Sequence, residues 1–276
     1  HAPDGSPLRT PTATLMAARF RRPVAVAALL LAAYAALCLL VFLMQRDLVY
    51  LAGHTRVAVR DTDFALPREA GVVLRGWLAA GDQPDALLYF GGNAEQVGHL
   101  RDRAGMLFPG HAVYLLAYRG YGASDGRPTE ADLGADAVAL YDHVRASRPG
   151  ARIRVVGRSL GSGVAAALAS RRPVDRLVLV TPFDDMAALA SHHHPWLPVG
   201  LLLRERYPAQ AHLAGHDGPV LVVRAGRDRV VPPERTDALI AALPSPPLVL
   251  ELPFAGHDFA LDEDAVVGAL RAFLHD

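Results

Sequence analysis

Ile153-Arg154-Val155-Val156-Gly157-Arg158-Ser159-Leu160-Gly161-Ser162-Gly163-Val164-Ala165-Ala166-Ala167 passes from a short apolar run, through a glycine-flanked serine, into an alanine-rich helical stretch. A serine on a sharp strand-to-helix turn sits at sparsely allowed backbone angles with neighbouring chain passing close, so it needs small residues beside it. Gly157 and Gly161 supply them. The helix that follows points its N-terminus at the serine, where it favours developing negative charge. Ser159 is therefore the candidate nucleophile, and the N–H of Leu160, the next residue, a candidate donor to an oxyanion.

Outward from this turn, apolar runs at 86–90, 112–117, 153–156, 176–180, 220–223 and 248–252 alternate with helical patterns. That alternation predicts an α/β fold with a mostly parallel central sheet of about eight strands, flanked by helices. Residues 57–59 and 72–79 are expected to open it as an antiparallel pair, and strands buried on both faces to be continuously apolar. Helices are predicted over 94–107, after Thr129 with Asp132 as its capping partner, over 160–171 and 184–206, from Pro232-Pro233 to about 243, and over 259–274.

A serine hydroxyl attacks poorly unless a base takes its proton and an acid holds that base in the right tautomer. The turn resembles that of the α/β-hydrolase superfamily, in which the acid and then the histidine follow the serine along the chain. Asp228 lies in the loop Arg224-Ala225-Gly226-Arg227-Asp228 leaving the 220–223 run, and His257 in the loop Pro253-Phe254-Ala255-Gly256-His257-Asp258 leaving the last run. These are the candidate acid and base. Asp184 and Asp185 are alternative acids, and Asp228 has a plainer alternative as a surface residue paired with Arg227 or Arg229. His192-His193-His194 has no carboxylate or cysteine pattern to complete a metal set, so it reads as a solvated or lid-packing run. No metal and no cofactor are expected.

Phe90-Gly91-Gly92-Asn93-Ala94 follows the 86–90 run, where a backbone N–H must face the substrate's oxyanion; Asn93 or Ala94 is the candidate. Gly91, Gly92, Tyr121, Arg158 and Trp196 are expected to touch the substrate. At these residues the chain resembles the single-pass, membrane-anchored α/β-hydrolase-domain proteins, whose sequences run His-Gly-Asn-Ala-Gly, then Tyr-Arg-Gly-Tyr-Gly-x-Ser-x-Gly-x-Pro, then Gly-Arg-Ser-Leu-Gly. Here Gly91-Gly92-Asn93-Ala94-Glu95, Tyr118-Arg119-Gly120-Tyr121-Gly122-Ala123-Ser124-Asp125-Gly126-Arg127-Pro128 and Gly157–Gly161 stand in those places. Gly91 replaces the usual histidine and Glu95 the usual glycine. The resemblance runs from about Gln45 onward and implies the α/β-hydrolase fold and an esterase, a thioesterase or a serine peptidase. The Tyr118–Pro128 loop reads either as a tight connection held by Arg119 and Asp125 or as a site wall at Tyr121.

Charge balances at 28 basic against 28 acidic residues, all the basic ones arginine, so no global field points to nucleic acid. The single cysteine, Cys38, lies in the N-terminal apolar stretch, which leaves the folded part without a thiol nucleophile or a disulfide. From Val24 to Met44 there is no charge and no proline, long enough as a helix to reach roughly 30 Å across a bilayer. Residues 1–22 are expected as a disordered cytoplasmic extension, 23–45 as a transmembrane anchor and 46–276 as the hydrolase domain. A cleaved signal peptide is the alternative for the apolar stretch. Arg19, Arg21 and Arg22 before it imply an extracytoplasmic catalytic domain on a bacterial inner membrane. Pro195-Trp196-Leu197-Pro198 and residues 201–203 are expected as a small lid. The reading is a serine hydrolase of acyl esters or thioesters with a small-molecule or lipid-like substrate; a serine peptidase and a non-enzymatic binding protein are the alternatives.

Overall fold

The computed structural model describes residues 12–259, 261 and 263–275. The extension expected over residues 1–22 falls outside the described residues as far as 11; from Thr12 the chain is helical. Two compact units divide at Met44 and Gln45. The described residues of the first belong to one helix, α1 (Thr12–Val49), whose most apolar window has a mean hydropathy of 2.8 and is 6% buried.

The second unit carries one sheet. Its strands are β1 (Phe64–Pro67), β2 (Val73–Ala79), β3 (Asp85–Phe90), β4 (His111–Ala117), β5 (Ile153–Arg158), β6 (Leu177–Val180), β7 (Val220–Ala225) and β8 (Leu248–Leu252). They lie in the order β1-β2-β4-β3-β5-β6-β7-β8, with β2 antiparallel to both neighbours and the remaining pairs parallel. The helices are α2 (Ala104–Leu107), α3 (Glu130–Ser147), α4 (Leu160–Ala169), α5 (Met186–His193), α6 (Val199–Leu202), α7 (Ala209–Leu213), α8 (Pro233–Ala242) and α9 (Asp264–His275). Leu87, Leu88, Val155, Val156, Leu179 and Val222 are fully buried, as a parallel sheet covered on both faces requires.

Chain order reverses beside β3: β4 lies on one side of it and β5 on the other. The carboxyl ends of strands at such a switch point leave a crevice where functional loops gather. Register does the rest. Phe90 pairs with Gly157, so Gly92 and Ser159, each two residues further, emerge side by side.

Several sequence expectations are corrected. Residues 57–59 form no strand; the antiparallel partner of β2 is Phe64–Pro67, and Val59–Asp61 is a 3-10 turn. The helix expected over 94–107 is a 3-10 segment, Val97–Arg103, followed by the short α2. It runs close to the sheet because Gly98 lies on Trp77, whose ring is 2.6 Å from where a Cβ would stand. Pro195 and Pro198 break the 184–206 helix into α5 and α6. β8 is an edge strand, with Leu248 62% exposed, not a strand covered on both faces.

β5 is not wholly apolar either: Arg154 is 1% exposed in mid-strand. Its Nη1 lies 3.1 Å from Asp85 and its Nε 3.1 Å from Asp175, and Nη1 also faces Nε2 of His111. Burial first, and the neighbouring guanidinium second, hold the His111 imidazole below its ordinary range. Arg154→Met leaves Asp85 its Arg152 contacts and Asp175 partly in water, so the expected loss in urea unfolding is about 1–3 kcal/mol. An unchanged midpoint would show that water reaches Asp85 and Asp175 well enough to replace the arginine.

A second buried ion, Glu205, gathers the last turn of α1 and the residues after it. Its carboxylate accepts from Arg46 Nε at 3.0 Å, from the Tyr50 hydroxyl at 2.8 Å and from the Glu130 N–H at 2.5 Å. Gln45 adds two bonds, donating to Leu202 O at 3.1 Å and accepting from Arg204 N at 2.7 Å.

Candidate active site

Ser159 sits between β5 and α4 with φ 51° and ψ −117°, a left-handed conformation that a side chain adopts only when its surroundings enforce it. The enforcement is visible at the flanking glycines. A Cβ on Gly161 would stand 2.0 Å from Phe90 O, and one on Gly157 2.4 Å from Gly161 O. The Ser159 N–H donates to Val180 O at 2.9 Å, tying the turn to β6.

The structure brings Ser159, His257 and Asp228 together. Ser159 Oγ and His257 Nε2 are 3.0 Å apart, and His257 Nδ1 and Asp228 Oδ2 are 2.7 Å apart. Each side chain leaves the end of a parallel strand: Asp228 three residues past Ala225, and His257 five past Leu252, which pair in the β7–β8 register. The second oxygen of Asp228 accepts the N–H groups of Val230 and Val231, both at 2.8 Å, so the carboxylate cannot turn away from the imidazole. Its side chain is 1% exposed and that of His257 12%. The alternative acids are engaged elsewhere: Asp184 lies 3.1 Å from Arg235, and Asp185 caps α5 through the Ala187 and Ala188 N–H groups. Burial raises the Asp184 carboxyl above its ordinary range.

Leu160 opens α4, so its N–H belongs to the first turn, where no intrahelical acceptor exists. The loop after β3 approaches closely: a Cβ on Gly92 would be 3.5 Å from Ser159 Cβ. Asn93 does not present its side chain to the site, because Oδ1 accepts from the Leu51 N–H at 2.9 Å and the Tyr121 hydroxyl at 2.8 Å. Ala94 follows at φ 59°. Gly91 holds the loop from the other side, its carbonyl accepting from the Tyr118 hydroxyl at 2.9 Å.

Two residues expected to touch substrate make supporting contacts instead. Tyr121 is 2% exposed and holds Asn93. Arg158 Nη2 donates to Phe259 O at 3.1 Å and His257 O at 3.4 Å, so the guanidinium clamps the histidine loop to β5. Trp196 is 55% exposed and packs edge-on to His194. The glycine-rich connection is held by Arg119 on Asp136, at 2.7 Å, while Asp125 binds Arg75 and the Val73 N–H.

Sequence reasoning missed Glu95. Its carboxylate accepts the Gly92 N–H at 2.6 Å and the Tyr89 hydroxyl at 2.9 Å. Burial first, and Glu95 second, hold the Tyr89 phenol well above its ordinary range, keeping it a donor. A Cβ on Gly91 would lie 2.4 Å from Val97 Cγ1 and 3.2 Å from Glu95 Oε2. A side chain at 91 would collide first with Val97 and would also crowd the Glu95 carboxylate, so the two departures from the family pattern are neighbours in space. Glu95→Ala leaves two donors without an acceptor and is expected to lose about 1–3 kcal/mol in urea unfolding, with Glu95→Gln recovering most of it. Equal midpoints for wild type and Glu95→Ala would show that the loop stands without the carboxylate.

A sheet of this order, turning into a helix through a left-handed serine, defines an α/β hydrolase, and the chain belongs to that superfamily. Its relatives include α/β-hydrolase-domain proteins. It is 35% identical over 244 residues to the uncharacterized protein Rv2307c of Mycobacterium tuberculosis, a match spanning 83% of this chain and 87% of that one. It is 29% identical over 169 residues to the lysophosphatidylserine lipase ABHD12 of Danio rerio, spanning 53% of this chain and 44% of that one. Residues 83–206 match the family described as serine aminopeptidase, S33. The Pyrococcus furiosus esterase Pf2001 shares the fold, with a TM-score of 0.62 at 19% identity, covering 77% of this chain and 89% of that one.

Proposed function

We propose that this hydrolase cleaves acyl esters or thioesters through a covalent acyl-enzyme, with Ser159 as nucleophile, His257 as general base and Asp228 as the acid orienting it. The observation that carries the reading is the pair of contacts at 3.0 Å and 2.7 Å that links the three side chains in series. Ser159 Oγ bonds to the acyl carbon while its proton passes to His257 Nε2. The N–H of Leu160 and that of Asn93 or Ala94 stabilise the tetrahedral oxyanion. The imidazolium, held by Asp228, then gives its proton to the departing alcohol or thiol. Water repeats the sequence on the acyl-enzyme, returning Ser159 and releasing the acid.

A lipid-like acyl group is the substrate class we favour, supported by the lipase among the relatives and by the apolar lid segment around Trp196. The apolar part of α1, preceded by Arg19, Arg21 and Arg22, supports a single-pass anchor in a bacterial inner membrane with the hydrolase unit outside the cytoplasm. Turnover of p-nitrophenyl esters of graded chain length and of matching acyl-thioesters by the full chain tests the substrate class. Rising turnover from acetyl to medium and long chains is expected, and a preference for acetyl would remove the lipid-like assignment. The serine aminopeptidase description of the matched family supports a second reading, amide hydrolysis. Faster turnover of aminoacyl p-nitroanilides than of every ester would decide for it.

A further inference from the structure

Five exposed apolar side chains lie on segments bonded to the loops after β3, β7 and β8 or to the end of α1, and the acyl-transfer steps have no use for them. Leu51, Trp196, Leu201, Val230 and Phe254 are 41%, 55%, 86%, 51% and 77% exposed. They come from four segments, each bonded to the loops at the carboxyl ends of the strands or to the lid. The Leu51 N–H donates to Asn93 in the loop after β3. Val230 lies two residues beyond Asp228, and its carbonyl accepts from His193 Nε2 at 2.9 Å. Phe254 precedes His257 by three residues and lies 5.0 Å under the Arg227 guanidinium. Leu201 neighbours Leu202, whose carbonyl accepts from Gln45.

Single exposed apolar residues are ordinary on a soluble surface. Five on segments bonded to one another at one end of the unit, four on loops and Leu201 on α6, form the kind of apolar grouping that marks contact with apolar partners or with membranes. Exposed Arg204, Arg227 and Arg229 accompany them, against the exposed acids Asp47 and Asp258, with Arg46 engaged by Glu205. Chain continuity selects the partner. Gln45 and Arg46, bonded to this end of the unit through Leu202 and Glu205, directly follow the apolar stretch that is long enough to cross a bilayer.

We infer that this rim docks on the lipid interface, so that the mouth of the site opens onto the bilayer and an acyl substrate enters from lipid instead of from water. The entry route rests on the serine-hydrolase reading; the docking itself can be measured without any activity. Tryptophan and leucine at the rim would sit at headgroup depth, where an amphipathic indole is favoured.

The chain has two tryptophans, and Trp77 is 4% exposed, so Trp196 is a clean reporter. The full chain is reconstituted in phosphatidylcholine–phosphatidylglycerol vesicles with plain or dibrominated acyl chains. Bromolipid is expected to quench most of the Trp196 emission, and the Trp196→Phe protein to show little change. Equal emission in plain and brominated vesicles would overturn the docking, as would shielding of Trp196 that tracks protein concentration, which would assign the rim to a second copy. Leu201→Asp is expected to slow turnover of a vesicle-borne long-chain ester several-fold while leaving a short soluble ester unchanged. Parallel loss on both substrates would overturn the entry route. If the wild type turns over neither ester, the hydrolase reading fails while the quenching result still decides the docking.

Discussion

Ser159→Ala is expected to lower ester turnover by about a million-fold and to abolish labelling by a fluorophosphonate probe, with the fold unchanged by circular dichroism. On the proposed mechanism the change removes the atom that bonds to the acyl carbon, and alanine tolerates the same left-handed turn about as well as serine does. Ser162 lies one turn further along α4 but cannot substitute. It is fully buried, and its hydroxyl is committed to Ser159 O at 2.6 Å. Retained turnover or labelling in the alanine variant would remove Ser159 from the chemistry altogether.

Asp228→Asn should come next in size, with a loss of about ten-thousandfold in kcat and little change in stability. The two carboxylate oxygens have separate duties: one accepts the Val230 and Val231 N–H groups, the other faces His257 Nδ1. An asparagine keeps its single carbonyl oxygen on the two backbone donors and turns its NH2 toward the imidazole. Nδ1 must then accept, the ring proton moves to Nε2, and the nitrogen facing Ser159 Oγ no longer has a lone pair to take the proton. Activity in this variant should rise toward high pH, where hydroxide competes as the base. A loss below tenfold at neutral pH would mean that Asp228 does not set the tautomer.

The three side chains of the site were legible in the sequence because each follows an apolar run of strand length by a few residues. Val155-Val156, Val222-Val223 and Leu250-Glu251-Leu252 end at the same edge of a parallel sheet, so position along the chain converts directly into position in space. Residues whose work depends on packing between distant elements carried no such signal. Arg158 reads locally as a possible substrate contact and acts instead on carbonyls about a hundred residues away. Glu95 reads as a departure from a motif, and only the folded chain shows its carboxylate accepting from Gly92 and Tyr89. β1 was misplaced because Val57-Ala58-Val59 is more apolar than Phe64-Ala65-Leu66-Pro67. An edge strand is selected by its pairing partner more than by its own hydrophobicity.

Glu205 bears on how far the chain can be trimmed from its N-terminal side before the hydrolase unit suffers. Proteolysis N-terminal to Gln45 leaves every ligand of that carboxylate in place. A cut after Tyr50 removes the Arg46 guanidinium and the Tyr50 hydroxyl together, abandoning a buried anion to one strong backbone donor at a cost of about 3–5 kcal/mol. The same cut separates the Leu51 N–H from the helix that delivers it to Asn93. A hydrolase unit trimmed that far would be short of stability and would have a loosened loop beside Ser159, so loss of α1 and of this short stretch together would weaken the fold and the candidate site at once.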